Sequence, residues 1–432
     1  MIVREDSIDS LLAPFQRFGV NLGLERIKKL LADLDNPQDR VPIIHVAGTN
    51  GKGSVCAYLS SILTEAGYRV GRYTSPHLVH WTERINLNGQ PIGDRDLIEI
   101  LQDIQSVIVP EEESPTLFEV ITAAAWLYFE RSQVDIAVME VGLGGRLDAT
   151  NVKDSTLVSV ITSLSREHWQ RLGPTLADIA GEKAGVIKPE CPVVVGQLPS
   201  EAREVVVAKA QQLDAPITFV EPAKEVKISA NNTRWARYED LEYPLPLLGT
   251  VQLNNSALAI ATIKNLQQQG WRIPELAIQT GINKTRWQGR LQWTTWKTQP
   301  LLIDGAHNPA AAIVLREYVD TLDKPVTWIM GMLSTKDHED IFEALLKRGD
   351  ELHLVPVPDH SSAEPEKLAA LANQVCPHLD RCQTERDVFT ALDAVMTRQD
   401  TNLDRVIVLC GSLYLIGHFF QQTDIAESNL PN

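Results

Sequence analysis

A β-rich apolar run followed at once by three glycines constrains this chain more than any other stretch. Residues 41–46, VPIIHV, have the length and composition of a buried strand, and apolar residues recur at helical spacing from Val55 onward. Between these two segments lie Gly48, Gly51 and Gly53. A strand, a glycine loop and a helix in this order are the layout of a phosphate-binding loop, because glycine lets backbone N–H groups approach an anion closely.

Two side chains of the same segment suit a bound nucleotide. Lys52 adds a cationic point charge, and Ser54 offers a hydroxyl to Mg²⁺ or to phosphate. The spacing differs from the common eight-residue phosphate-loop pattern, since Gly48 lies only three residues before Gly51. A glycine loop alone is often a tight turn. Together with the strand, the lysine and the helix, however, residues 48–54 indicate a nucleotide site.

The length and net charge of the chain limit its domain number and the kinds of protein it can be. The 432 residues exceed one ordinary core, and about 150 residues per domain predicts two or three domains. The formal net charge of −16 argues against general nucleic-acid binding. The N-terminus has acidic residues where a signal peptide would be basic, and the chain has no uninterrupted apolar run of about 20 residues, so we expect no membrane association. Five scattered cysteines without a C-x-x-C pair fit a reduced, cytoplasmic protein, which we expect to be a monomer.

Strand-like runs alternate with helix-like segments along most of the chain. This alternation predicts an α/β protein with a mostly parallel sheet, in which ligands bind beyond the carboxyl ends of the strands. The phosphate-loop segment, Ser75, Glu140 and His168 all follow predicted strands, so we expect them to meet at one sheet edge. The strands of this part are predicted near 68–73, 134–141, 156–162 and 193–195, with helices near 7–34, 94–108, 116–131 and 175–185.

A second α/β series begins near residue 292. We therefore predict a first domain over residues 1–292, which contains the phosphate loop, and a smaller Rossmann-like α/β domain over residues 293–432. Strands with a turn at Asn231-Asn232 are predicted over 217–240, and the last ten residues look like a disordered tail. Helices are predicted near 252–268, 274–283, 309–322, 337–348, 365–375 and 385–398, and further strands near 300–304, 326–330, 351–357 and 405–410.

Glu140 ends a near-continuous apolar strand, where a charge is unfavourable unless it is paired or bound to metal. One interpretation pairs it with Arg146 or makes it an N-cap partner. The other makes it a Mg²⁺ ligand, because hard cations choose oxygen ligands beside transferred phosphates. Ser75 and His168 would complete this site, although histidine is an unusual Mg²⁺ ligand and His168 alone fits a hydrogen-bonded loop residue better.

The segment DGAHNP, residues 304–309, follows a predicted strand of the second domain. Asp and Asn are ordinary turn formers, so the segment by itself is weak evidence of a site. Across an interdomain cleft from the glycine loop, it would hold the sugar or base of a nucleotide. Arg290 would supply charge to phosphates during transfer, but a surface arginine at a linker is the simpler interpretation.

These segments resemble the folylpolyglutamate synthase/dihydrofolate synthase branch of the Mur ligase superfamily. The resemblance runs through nearly the whole chain in the family's order, and EVGLGGRLDATN together with EKAGVIK is highly specific. The segments that carry it are GTNGKGS (48–54), TSPHL (74–78), FEVITAAA (118–125), MEVGLGGRLDATN (139–151), EHWQRLG (167–173), EKAGVIK (182–188), LLGTVQLNN (247–255), GRLQ (289–292), DGAHNP (304–309) and CGSLYLIG (410–417).

The resemblance implies an ATP-dependent, ADP-forming ligase. The γ-phosphate of ATP would pass to a carboxylate of dihydropteroate or of tetrahydrofolate and its polyglutamates, and the α-amine of L-glutamate would attack the acyl phosphate. It implies two Mg²⁺ ions and a carbamylated Lys183, since carbamylation turns a cation into an anionic metal ligand. The catalytic residues would be Lys52, Glu140, His168, Lys183 and Arg290, and the metal ligands Ser75, Glu140, His168 and Lys183.

The resemblance also implies two binding sets. The pterin-bearing substrate would lie against Thr116, Phe118, Arg146, Asp148 and Ala149. The nucleotide would contact Gly48, Thr49, Asn50, Gly51, Lys52, Gly53, Ser54, Asn255, Arg290, Asp304 and His307.

Two positions depart from the family pattern. Glu167 stands where the family usually has Asp before the metal-binding histidine, and Val251-Gln252 replaces a His-Gln pair. Two other functions stay open. One is a ligase for a different carboxylate, of the muramyl or cyanophycin type, and the other is a GTP-dependent switch. Residues 118–125 and 142–151 favour folate over the first, and residues 283–286, NKTR, lack the Asp of a guanine-reading N-K-x-D motif.

Overall fold

The computed structural model describes residues 7–18, 21–109, 113–228, 233–397 and 405–423. The described residues form two compact units. The first comprises residues 7–228, 233–246 and 253–285, and the second comprises residues 247–252 and 286–423. The predicted turn at Asn231-Asn232 and residues 424–432 of the predicted tail lie outside the described residues. A domain division at residue 292 stays a prediction.

The first unit is built on an eight-stranded sheet. Its strands are β1 (Ile43–Ala47), β2 (Val70–Tyr73), β3 (Ile85–Leu87), β4 (Gln90–Pro91), β5 (Ile136–Glu140), β6 (Val158–Ile161), β7 (Val193–Val195) and β8 (Ile217–Phe219). Their order in the sheet is β4-β3-β2-β5-β1-β6-β7-β8. The pairs β2–β3 and β3–β4 are antiparallel and the others are parallel. A separate antiparallel sheet contains β9 (Lys224–Ile228), β10 (Arg234–Tyr238) and β11 (Leu241–Pro244).

Helices flank the large sheet, which explains why its central strands are mostly apolar and are buried along their whole length. Every residue of β1, β5 and β6 is buried. Gly281 lets the helix Glu275–Lys284 pack closely against the helix Lys52–Glu65, because a Cβ atom at this position would collide with the backbone of Ile62. The helices are α1 (Ile8–Leu12), α2 (Glu25–Asp33), α3 (Lys52–Glu65), α4 (Asp94–Val107), α5 (Leu117–Arg131), α6 (Trp169–Leu172), α7 (Leu176–Ala184), α8 (Ser200–Gln212), α9 (Val251–Gln268) and α10 (Glu275–Lys284). The 3₁₀ segments are Ala13–Phe18, Pro37–Arg40 and Trp81–Arg84.

The second unit has a six-stranded sheet in the order β12-β13-β17-β14-β15-β16. Only the edge pair β12–β13 is antiparallel. Trp328 and Phe342 lie fully buried in its core. Its strands are β12 (Gln292–Trp296), β13 (Gln299–Ile303), β14 (Val326–Met330), β15 (Glu351–Leu354), β16 (Arg381–Thr384) and β17 (Val406–Cys410). Its helices are α11 (Pro309–Asp320), α12 (His338–Leu345), α13 (Pro365–Val375), α14 (Val388–Met396) and α15 (Leu413–Gln421).

The predicted fold class, an α/β protein with two mostly parallel sheets, is confirmed. The prediction of one helical region over 7–34 is wrong in detail, because a 3₁₀ segment separates α1 from α2. The alternation of apolar residues also failed to indicate the β3–β4 hairpin, α8, β16 and α15, which are short or weakly amphipathic. None of the described helices combines the length and the apolar character that a bilayer crossing needs.

Candidate active site

Four loops meet at the carboxyl edge of the large sheet. The strands β2, β5, β1 and β6 are consecutive neighbours there. The phosphate-loop segment follows β1, Ser75 lies two residues after β2, Glu140 ends β5, and His168 lies in the loop after β6. The parallel register aligns Val46 with Glu140, so the ends of β1 and β5 lie side by side. The structure thus brings together the loops that the sequence predicts to share one edge.

The conformation of residues 48–54 depends on glycine at two positions. Gly51 precedes the first residue of α3 at a φ of +87°, and a Cβ atom there would lie 2.5 Å from Oδ1 of Asn255. Gly48 has a φ of +149°, and a Cβ atom there would collide with Oγ1 of Thr162. Lys52, Gly53 and Ser54 form the first turn of α3, and the N–H groups of a first helical turn point away from the helix body toward its N-terminal end. This loop therefore has the backbone that an anion site at a helix N-terminus needs.

A second loop holds the phosphate-loop segment in place. Oγ1 of Thr162 and Oγ of Ser163 both donate to the carbonyl oxygen of Asn50, at 2.6 and 3.0 Å. The backbone N–H of Asn50 donates back to Oγ of Ser163 at 3.1 Å, and that of Thr49 donates to the Ser163 carbonyl at 2.7 Å. The N–H of Ser165 donates to Oγ1 of Thr49 at 3.1 Å. We call these contacts of residues 162–165 with Thr49 and Asn50 the loop clasp. Its residues precede His168 by only a few positions, so the clasp joins two predicted site loops.

Two lysines converge on one carbonyl group of the phosphate loop. Nζ of Lys52 donates to the carbonyl oxygens of Gly48 and Thr49, each at 3.1 Å, and Nζ of the buried Lys183 donates to that of Gly48 at 2.8 Å. Burial, and to a smaller degree the charge of Lys52, lowers the pKa of Lys183 to about 7, while the carboxylates of Glu167 and Asp148 oppose the shift. Near pH 7, a substantial share of the protein molecules therefore carries Lys183 as a neutral amine.

Glu140 is buried at the sheet edge, and its Oε2 accepts the backbone N–H of Ser75 at 3.2 Å. The alternative that pairs Glu140 with Arg146 is wrong. The guanidinium group of Arg146 instead donates to Glu182, at 3.0 Å from Nε and 2.7 Å from Nη2. His168 is exposed, with a φ of +51° just before α6.

The donor types at this edge fit a hard divalent cation. A buried carboxylate, that of Glu140, lies beside the hydroxyl-bearing Ser75, and Mg²⁺ prefers such oxygen ligands. Within the described residues, no three His, Cys, Asp or Glu side chains form a metal cluster. The predicted ligand set is consistent with that finding, because Glu140 and His168 are its only members of those four types.

The residues predicted to hold a pterin lie on α5 and on the loop after β5. Thr116 caps α5 with its side chain and is buried, and Phe118 lies so close to Gly142 that a Cβ atom there would collide with its ring. Arg146 keeps 56% of its side chain exposed, whereas Asp148 and Ala149 are buried. Arg146 is thus the most accessible of the three predicted residues on this loop.

Asn255 belongs to the first unit, and Arg290, Asp304 and His307 belong to the second. Asp304 follows β13, is buried and accepts the backbone N–H groups of Leu291 and Ala306, each at 2.8 Å. Burial raises the pKa of Asp304, and the nearby charge of Arg290 opposes that rise. Nδ1 of His307 lies 2.7 Å from the carbonyl oxygen of Gly305. A role of these second-unit residues in nucleotide binding stays a prediction.

The sequence interpretation missed the residues that hold the predicted site loops in place through hydrogen bonds. Thr162 and Ser163 form the loop clasp, while His45 and Thr150 lie in a buried hydrogen-bonded chain that reaches Asp148. The hydroxyl-rich run after β6 was the one available signal for the clasp. A histidine in the middle of an otherwise apolar strand was the corresponding signal for the chain.

Comparisons with known proteins agree with this geometry. A model of the Mur ligase middle domain matches residues 46–263, and a model of the dihydrofolate synthetase C-terminal domain matches residues 289–422. The dihydrofolate synthase/folylpolyglutamate synthase of Bacillus subtilis is 33% identical over 417 residues, which cover 93% of this chain and 94% of that protein.

Two solved structures are similar over nearly the whole chain. The Mycobacterium tuberculosis folylpolyglutamate synthase complexed with ADP has a TM-score of 0.85 at 29% identity, covering 95% of this chain and 96% of that one. A bifunctional folylpolyglutamate synthase/dihydrofolate synthase with Mn, AMPPNP and L-glutamate bound has a TM-score of 0.81 at 31% identity, covering 96% and 98%. The chain therefore belongs to the Mur ligase family, in its dihydrofolate synthase and folylpolyglutamate synthase branch.

Proposed function

We propose that this chain is an ATP-dependent, ADP-forming ligase that adds L-glutamate to dihydropteroate, to tetrahydrofolate and its polyglutamates, or to both. The observation that carries the proposal is the phosphate loop at the sheet edge, with Lys52, Lys183 and Glu140 around it, in a chain of this family. The relatives solved with ADP, and with AMPPNP and L-glutamate, support the nucleotide and the amino acid.

The reaction needs two successive transfers. An oxygen of the acceptor carboxylate attacks the γ-phosphorus of ATP, the bond to the β-phosphate oxygen breaks, and ADP and an acyl phosphate form. The α-amine of L-glutamate then attacks the acyl carbon, phosphate leaves, and the amine loses a proton as the amide forms. Positioning and charge neutralisation supply most of the catalysis in such a transfer. In this chain Lys52 and the N-terminus of α3 hold the phosphates, while the loop clasp keeps the phosphate loop in the conformation that binds them.

Mg²⁺ would be held by Glu140, Ser75 and His168, and when bound it would neutralise charge on the transferred phosphate. The relative with bound Mn supports a divalent metal. We further propose that Lys183 is carbamylated. A substantial share of its amine is deprotonated near pH 7, so it can attack CO₂ to give a carbamate and release one proton. The product is an anion beside the metal ligands instead of a second cation beside Lys52.

ADP release from the wild-type chain tests the proposal. With ATP, Mg²⁺ and L-glutamate present, dihydropteroate and tetrahydrofolate are supplied in separate reactions, and we expect ADP to appear with at least one of them. Omission of glutamate is the matched control and should prevent amide formation. The proposal would be overturned if neither acceptor supported ADP release, or if the product carried no added glutamate. A different carboxylate as the true acceptor would appear as the first of these outcomes.

A further inference from the structure

A buried histidine of β1 is connected to the loop that follows β5. His45 is fully buried at the centre of the large sheet, and its Nε2 lies 2.8 Å from Oγ1 of Thr150. The hydroxyl of Thr150 in turn lies 2.6 Å from Oδ1 of Asp148. All three side chains are at most 3% exposed. A continuous hydrogen-bonded chain therefore runs from the strand that carries the phosphate loop to the predicted acceptor loop.

The direction of each hydrogen bond follows from the chemistry of the groups. Asp148 accepts from three donors, namely the N–H groups of Leu143 and Thr150 and the hydroxyl of Thr150, as an anion does. Burial raises the pKa of Asp148, and these hydrogen bonds oppose that rise. The single hydroxyl proton of Thr150 is thus used toward Asp148. His45 must then donate from Nε2, which makes it the neutral Nε2–H tautomer, and its buried Nδ1 has no hydrogen-bond partner among the described residues. Burial also lowers the pKa of His45 to about 3.

Asp148 fixes the shape of its loop. Its two carboxylate oxygens bridge Leu143 at the start of the loop and Thr150 near its end. The side-chain amide of Asn151 donates to the carbonyl oxygens of Arg146 and Gly185, at 3.1 and 3.0 Å. Asp148 thus holds the two ends of the loop together, while Asn151 and Glu182 hold Arg146, the exposed residue between those ends.

We infer that His45 is a positioning residue for the pterin-bearing acceptor. Through Thr150 it fixes the Asp148 carboxylate, and through that carboxylate it fixes the loop that presents Arg146. The inference rests on the proposed function, since it assumes that the loop holds the acceptor. Loss of the hydrogen bonds between His45, Thr150 and Asp148 should weaken acceptor binding. Nucleotide binding at the phosphate loop should not change, because Thr49 and Asn50 are held by different contacts.

Thr150→Val tests the inference, because valine keeps the shape of threonine and removes the hydroxyl. We expect the KM of the acceptor to rise about tenfold, the size expected for a lost hydrogen bond to a charged group, with an unchanged Kd for ADP measured by calorimetry. Thr150→Ser restores the hydroxyl and should bring the acceptor KM back toward that of the wild type. Thr262→Val is the matched control, since this buried hydroxyl donates only within α9, to the carbonyl oxygen of Leu258.

A second pair of variants covers the case in which Thr150→Val does not fold. His45→Gln keeps an N–H donor at about the position of Nε2, and His45→Leu removes it. We expect the leucine variant alone to raise the acceptor KM. Equal rises in acceptor KM and ADP Kd, or the same kinetics for Thr150→Val and Thr262→Val, would overturn the inference. Absence of acceptor-dependent ADP release in the wild type would instead overturn the proposed function.

Discussion

The ammonium or amine nitrogen of Lys183 lies 2.8 Å from the carbonyl oxygen of Gly48. This contact joins α7 to the first residue of the phosphate loop and places a buried lysine beside Lys52. Two cations so close together are unfavourable. Burial, and to a smaller degree the charge of Lys52, lowers the pKa of Lys183. The arrangement becomes favourable if one of the two side chains carries a negative charge, as a carbamate would.

Lys183→Ala should lose activity and recover part of it when a short carboxylate is supplied. Removal of the carbamate takes away one of the two anionic ligands proposed for the metal, so we expect the turnover rate to fall at least about a hundredfold. Formate or acetate can occupy the space that the side chain leaves and replace its carboxylate. Turnover is measured with and without added formate. A Lys183→Ala enzyme that works at the wild-type rate would remove Lys183 from the site, and an inactive one that formate does not rescue would count against the carbamate.

Lys52→Ala should abolish turnover with little loss of stability. Lys52 is half-buried on the first turn of α3 and its Nζ contacts only carbonyl oxygens of its own loop, so no core packing depends on it. The loss of a cation at the phosphates should lower kcat at least about a hundredfold. ADP release and thermal unfolding are measured on the same preparation. Lys29→Ala, which breaks an exposed pair with Asp33, serves as the control for loss of a lysine, and unchanged turnover in Lys52→Ala would contradict the phosphate role.

Ser163→Ala should weaken nucleotide binding, because it removes two of the hydrogen bonds of the loop clasp. Oγ of Ser163 accepts the N–H of Asn50 and donates to its carbonyl oxygen, so both backbone groups lose a partner. We expect the KM of ATP to rise about tenfold and that of the acceptor to stay unchanged. Ser61→Ala is a matched control on α3, since its hydroxyl donates to Gly281, on the unrelated contact with α10. Equal effects of the two variants would show that the clasp does not shape the nucleotide site.

The sequence indicated where the predicted site residues lie better than it indicated the residues that hold their loops in place. Glycines, Lys52 and Glu140 are recognisable because each is an unusual residue at a strand end, where a parallel sheet collects its ligands. Thr162 and Ser163 could not be assigned in the same way. Their role depends on β6 lying next to β1, and strand order is not encoded in the local alternation of apolar residues. The pairing of Arg146 with Glu182 likewise depends on how α7 packs against the loop after β5, which spacing along the chain does not indicate.

His45 should make the protein less stable as the pH falls below about 6.5. The pKa of His45 is about 3 in the folded protein and 6.5 in its ordinary state, so the unfolded chain binds a proton that the folded chain excludes. The contribution is therefore complete above pH 6.5 and is lost as the pH falls toward 3. At pH 5.5 the loss should be about 1.4 kcal/mol relative to pH 7.5. Because carboxylates titrate in the same range, urea unfolding of the wild type is compared with that of His45→Gln, which has no group that titrates. The wild type should lose about 1.4 kcal/mol more than the variant between these two pH values. Parallel losses in both proteins would mean that His45 takes up a proton without unfolding, and would contradict the neutral, Nε2-donating histidine.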